Sequence, residues 1–93
     1  MTRDYWIYQE REVQEPWAAH VHVIGSTSID IRFYAEYLPA KCSNCLGVPC
    51  DYASLLDAFR LFADEHGQDF AVDDVQLVNR LWLAIANDLG LII

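Results

Sequence analysis

The residues best suited to chemistry in this 93-residue chain are three clustered cysteines, Cys42, Cys45 and Cys50, and three histidines, His20, His22 and His66. The cysteine spacing is C-x2-C-x4-C. Thiolates two residues apart can grip one ion from a tight turn, and Gly47 and Pro49 suit a loop bending round it. Zinc takes four tetrahedral ligands, so the metal set would be Cys42, Cys45 and Cys50 with His22 as the fourth, His20 or His66 being the alternatives for that place. One thiol pair plus a single extra thiol is less than the two spaced pairs that mark a zinc module. An iron–sulfur centre also wants four ligands, usually all cysteine, and fits less well.

Redox chemistry is a second option. Cys42 and Cys45 form a C-x-x-C pair, but no helix starts directly after Cys42. Cys50 stands just before an expected helix, where the N-terminal dipole would lower its pKa and raise its reactivity. The third option is the ordinary state of free cysteine, a small and partly buried thiol packed in a connection. The spacing favours this last option, so no cofactor is expected, with zinc as the alternative.

His20 and His22 share one face of a strand and could act as ligands or as a general base. No nucleophile or carboxylate motif accompanies them in the sequence, and such pairs usually lie on a half-solvated face. His66, near a helix C-terminus, is suited to that place by the dipole alone. There is no G-x-S-x-G, no Gly-rich phosphate loop and no metalloprotease helix motif. An enzyme is not expected.

The elements that would position these residues fall in a clear order. Residues 5–13 begin with strand-like alternation of aromatic and β-branched side chains, and Pro16 ends that segment. Residues 18–24 form a second strand, with Ala19, Val21 and Val23 on one face and His20, His22 and Ile24 on the other. Gly25-Ser26-Thr27-Ser28 supplies a turn. Residues 29–37 alternate cleanly, with Ile29, Ile31, Phe33, Ala35 and Tyr37 on one face, and predict a strand paired with the second. A short helix started by Ser26 or Ser28 is the competitor there.

After the cysteines, Asp51 or Ser54 can cap a helix whose stripe is Tyr52, Leu55, Phe59, Phe62 and His66, with Gly67 as a left-handed C-cap. Asp73 or Asp74 then starts a second helix ending near Leu89, with Gly90 beyond it. Its stripe of Val78, Leu81, Trp82, Ile85 and Leu89 is widened by Leu77, Leu83 and Ala84. Strands first and helices second predict an α+β single domain over residues 1–93. A three-stranded antiparallel sheet (residues 1–38) would be joined through the cysteine connection (39–50) to two helices packed on one face (51–93).

Composition narrows the partners. With 54% apolar and 13% aromatic residues the chain should fold. No apolar run reaches the length of about 18 residues that marks a membrane span, and the N-terminus lacks a signal-peptide core, so a cytoplasmic location is expected. The net charge of −8 is uneven. Residues 1–46 carry six acids against four bases, whereas residues 47–93 carry eight acids against only Arg60 and Arg80. Such a field repels phosphate backbones and attracts basic proteins, although acidity also serves solubility alone. Trp6, Tyr5, Tyr8 and Trp17 could serve as interface anchors or as sheet packing. The tail Leu89-Gly90-Leu91-Ile92-Ile93, with the stripe around Trp82 and Leu83, suggests a homodimer.

In size and charge the chain resembles small phage-encoded inhibitors of host defence, such as anti-CRISPR proteins, and immunity proteins against nuclease toxins. That resemblance implies an inhibitor of a basic, nucleic-acid-binding protein. The residues expected to meet that partner are Asp57, Asp64, Glu65, Asp69, Asp73 and Asp74. The alternative is a zinc-stabilised structural module of a larger assembly.

Overall fold

The computed structural model describes residues 2–10, 12–13, 16–35, 45–65, 67 and 69–91. Within them the order is four strands, β1 (Thr2–Tyr8), β2 (Trp17–Ile24), β3 (Ser28–Ala35) and β4 (Cys45–Pro49), then two helices, α1 (Tyr52–Glu65) and α2 (Val72–Asp88). The strands form one antiparallel sheet in the order β1-β2-β3-β4, so β1 and β4 are its edges.

The alternation read from the sequence is the alternation that packs. Trp17, Ala19, Val21 and Val23 of β2 and Ile29, Ile31 and Phe33 of β3 are buried against the helices. The register makes this work, because Val21 lies opposite Ile31 and Val23 opposite Ile29, so the same face of both strands is apolar. The segment 29–35 is strand and not helix, since its β-branched residues pair with equals across the sheet. Leu55, Phe59 and Phe62 of α1 and Leu77, Val78, Leu81 and Ile85 of α2 complete the core. Three ring contacts join the layers. Phe33 stacks on Phe62 at 4.2 Å, meets Phe59 edge-on at 5.1 Å, and Phe59 meets Trp17 at 5.3 Å. Each such pair adds about 0.5–1.5 kcal/mol beyond area burial.

The expected α+β arrangement is present with one strand more than expected. β4 falls inside the connection assigned to residues 39–50. Val48 lies opposite Ile29 and packs against the core, which carries the apolar face across to a fourth strand. Pro49 is tolerated there because β4 is an edge. β1 ends at Tyr8, and Glu12 and Val13 lie outside it.

The helix ends follow local chemistry. Asp51 caps α1, its Oδ1 accepting the Ser54 amide proton at 2.8 Å. Gly67 takes the positive φ of 67° expected of the C-cap. α2 closes in a Schellman motif, with the Leu91 amide bonded to the Ala86 carbonyl and Gly90, at φ 72°, bonded to Asn87. Leu77 is buried, as the widened stripe suggested, while Leu83 and Ala84 face solvent.

Candidate functional site

The acidic positions separate into two kinds. Asp57, Asp64 and Glu65 on α1, Asp69 in the link and Asp73 in the first turn of α2 are all exposed. Tyr52, at the start of α1, bonds Asn79, midway along α2, so the two helices touch. Asp64 and Glu65 close α1, Asp69 lies in the link and Asp73 opens α2, so the four flank the connection between the helices. Asp64 and Glu65 sit in the last turn of α1, which holds no basic residue. Carboxylates at that negative end of the dipole oppose the helix by about 0.3–1 kcal/mol each.

Asp74 does not belong to this surface. It is 1% exposed, and its carboxylate accepts the Ala71 amide proton at 3.1 Å and the Gln9 side-chain amide at 3.3 Å. Gln9, itself buried, accepts the Trp17 amide proton through Oε1 at 3.3 Å. Asp74 ties the start of α2 to the sheet. A partner cannot reach it.

The proposed metal set is not brought together by the described residues. Cys42 and the Cys45 side chain lie outside them, as does His66. Cys50 packs against the core, whereas His22 projects from the opposite, open face of the sheet. Burial, followed by the neighbouring Asp51 charge, raises the Cys50 thiol above its ordinary value of 9.0. Desolvation disfavours the thiolate, a shift opposite to the activation expected from the helix dipole.

The open face carries a constellation that strand-by-strand reading missed. Asp4 of β1 lies opposite His22 of β2, and Trp6 lies opposite His20. Asp4 Oδ1 is 2.7 Å from His22 Nδ1 and 2.9 Å from His20 Nε2, so one carboxylate oxygen holds both imidazoles. Each ring donates when its facing nitrogen carries the proton. The His22 hydrogen bond, helped by His20 and opposed by desolvation, lowers the Asp4 carboxyl below 3.8. Trp6 closes the group, with its ring 4.8 Å from His20, 5.9 Å from Tyr34 and 6.3 Å from Tyr8. The signal was the register. Matching the apolar face of β1, at Tyr5 and Ile7, to Val21 and Ala19 places Asp4 beside the histidines.

The features invoked for a homodimer are partly visible. Leu83 and Leu91 are exposed, Trp82 is half-buried, and Ile92 and Ile93 lie outside the described residues. Tyr52, Asn79, Trp82 and Leu83 line a shallow hollow of about 480 Å³.

Fold and surface together define a small acidic α+β module with one sheet face covered by helices and the other open. Among the described residues no helix is long and apolar enough to cross a membrane. No protein-family model, curated protein or solved structure matches the chain.

Proposed function

We propose that the protein is an interaction module that binds the basic, nucleic-acid-binding surface of a partner protein and inhibits it by occupying the place of the phosphate backbone. One observation carries this reading. Asp64, Glu65, Asp69 and Asp73 are all exposed around the connection between the two helices, and two of them sit where the α1 dipole disfavours them. A feature that costs the isolated fold stability is supported by what it offers a cationic partner. The net charge of −8 speeds encounter with such a surface and discourages direct contact with nucleic acid.

The test has two parts. A partner captured on the immobilised protein should release its nucleic acid as the protein is added, at an equivalence point of whole-number stoichiometry. Its affinity should fall steeply with salt, and exchanging Asp64, Glu65, Asp69 and Asp73 for lysine should weaken it at least tenfold at low salt. Four rim charges at about 0.2–1 kcal/mol each license that figure. Salt-independent binding, or a fourfold variant that binds like the wild type, would refute the proposal.

A further inference from the structure

The two edges of the sheet are protected to different degrees. β4 is five residues long and carries Gly47 and Pro49, both of which weaken strand pairing. β1 is seven residues long and holds neither proline nor lysine. Its free edge can be read from the bonding pattern. The Gln9 amide bonds the Trp17 carbonyl, so by antiparallel alternation Arg3, Tyr5 and Ile7 turn their backbone groups toward β2. Asp4, Trp6 and Tyr8 turn theirs outward. Among the described residues nothing accepts from or donates to those outward groups.

A groove of about 310 Å³ runs beside this edge, between β1 and α2. It reaches residues of both faces of β1, which places it along the edge itself. Its α2 wall is Leu77, Leu81 and Ala84, with Arg80 at the rim. Two contacts frame it: the Tyr5 hydroxyl donates to Asp88 at 2.6 Å at one end, and Arg80 pairs with Glu10 at the other. The edge therefore offers backbone groups that have no partner among the described residues, next to a groove walled by Leu77, Leu81 and Ala84, which is the arrangement that captures an extended peptide by strand addition.

We infer that β1 and α2 form a docking site for an extended basic segment of a partner protein. The segment pairs through its backbone with Asp4, Trp6 and Tyr8 and turns alternate apolar side chains into the groove. The sign of its charge follows the net charge of −8 on the chain and the Asp88 carboxylate at one end of the groove, since Arg80 and Glu10 at the other end pair with each other. A second copy of the chain fits less well. The Ile7 side chain of a second β1 would be 4% exposed in its own core and unable to fill the groove, and each copy carries −8. The inference rests on the proposed function only for the partner's positive charge.

The probe is a fluorescein-labelled synthetic heptapeptide of alternating lysine and valine or leucine, mixed with the full chain. Anisotropy should report saturable binding. Amide exchange of the complex should slow at least tenfold at Asp4, Trp6 and Tyr8 and stay unchanged at Tyr5 and Ile7. Ala84→Phe, at an exposed groove position, should weaken the peptide at least tenfold, as should N-methylation of alternate peptide residues. The D64K/E65K/D69K variant should bind it within threefold of wild type. Protection without the alternating pattern, or an Ala84→Phe variant that binds like wild type, overturns the site. Protection that grows with protein concentration in the absence of peptide also overturns it, by assigning the edge to a second copy. Loss of peptide in the lysine variant alone leaves the charge reading standing and removes the groove.

Discussion

Replacing Asp74 by alanine tests whether the buried relay holds the helices to the sheet. The carboxylate satisfies the Ala71 amide at the mouth of α2 and the Gln9 side chain, which in turn holds the Trp17 amide. Alanine leaves one buried and one half-buried donor without these partners, at about 1–3 kcal/mol each, and removes a negative charge from the helix N-terminus worth about 0.3–1 kcal/mol. Some relaxation toward water at the half-buried Ala71 offsets part of this, so a loss of about 3 kcal/mol is expected. That is a large share of the roughly 5–15 kcal/mol that holds a domain folded. The midpoint should fall by about 12–24 °C for a domain of this size. Urea unfolding followed by tryptophan fluorescence measures it directly, with an unchanged slope showing that the transition is the same one. Asp74→Asn keeps an acceptor oxygen and should lose about half as much. If Asp74→Ala unfolds within about 0.5 kcal/mol of wild type, the relay is incidental and the assignment of Asp74 to the fold is wrong.

The titrating groups give three further outcomes. The Asp4 carboxyl should titrate below 3.8 by carbon-detected NMR and return toward it in His22→Ala. Its folded value is depressed, so its contribution is present above the unfolded value and is lost as the pH falls through the folded one; an Asp4 midpoint at or above 3.8 would disprove the shared contact. The Tyr5 phenol, pushed up to about 12 by burial and then by Asp88, should lag the other tyrosines in an ultraviolet titration. Its folded value is raised, so the stability it lends is complete below about 10 and disappears as the pH rises toward 12, a limb that Tyr5→Phe should abolish. Cys50, with its thiol raised by burial, should react with a thiol reagent at neutral pH several times more slowly than a free cysteine peptide; an equal or faster rate would restore the dipole-activated thiol.

The parts of the fold that repeat a period over several turns could be read without coordinates. β2 and β3 each show three or more alternations, and both helical stripes return to the same face through Leu55, Phe59 and Phe62 or through Val78, Leu81 and Ile85. Gly67 and Gly90 marked their helix ends because a positive φ there suits glycine. β4 was not legible. Between Cys45 and Pro49 only Leu46, Gly47 and Val48 carry a pattern, and glycine and proline otherwise signal a turn. What makes it a strand is non-local, the match of Val48 to Ile29 and of Leu46 to Ile31. The pairing of Asp4 with two histidines is non-local in the same way. It depends on a register between segments 18 residues apart, which neither segment states alone.

Asp73 and Asp74 show how far one residue type can be read before geometry decides. Counted as charge they are equivalent, and both suit the N-terminus of α2. Adjacent helix positions differ by about 100°, however, so they cannot share a face. Asp74 lies three and four residues before Leu77 and Val78, on the buried stripe, and is drawn inward as an acceptor for backbone and Gln9. Asp73 is turned out with Asp64, Glu65 and Asp69. The helical period thus sorts the acids by task before any distance is measured. An acid in register with the apolar stripe has to find donors inside the fold, and one out of register keeps its charge for solvent or for a partner. By that rule the internal relay and the outward acids are independent, and lysine at Asp73 should leave stability within about 0.5–1 kcal/mol of wild type, the loss expected of a charge in the first turn alone. An Asp73→Lys variant that unfolds as readily as Asp74→Ala would show that the two acids form one network and that the sorting fails.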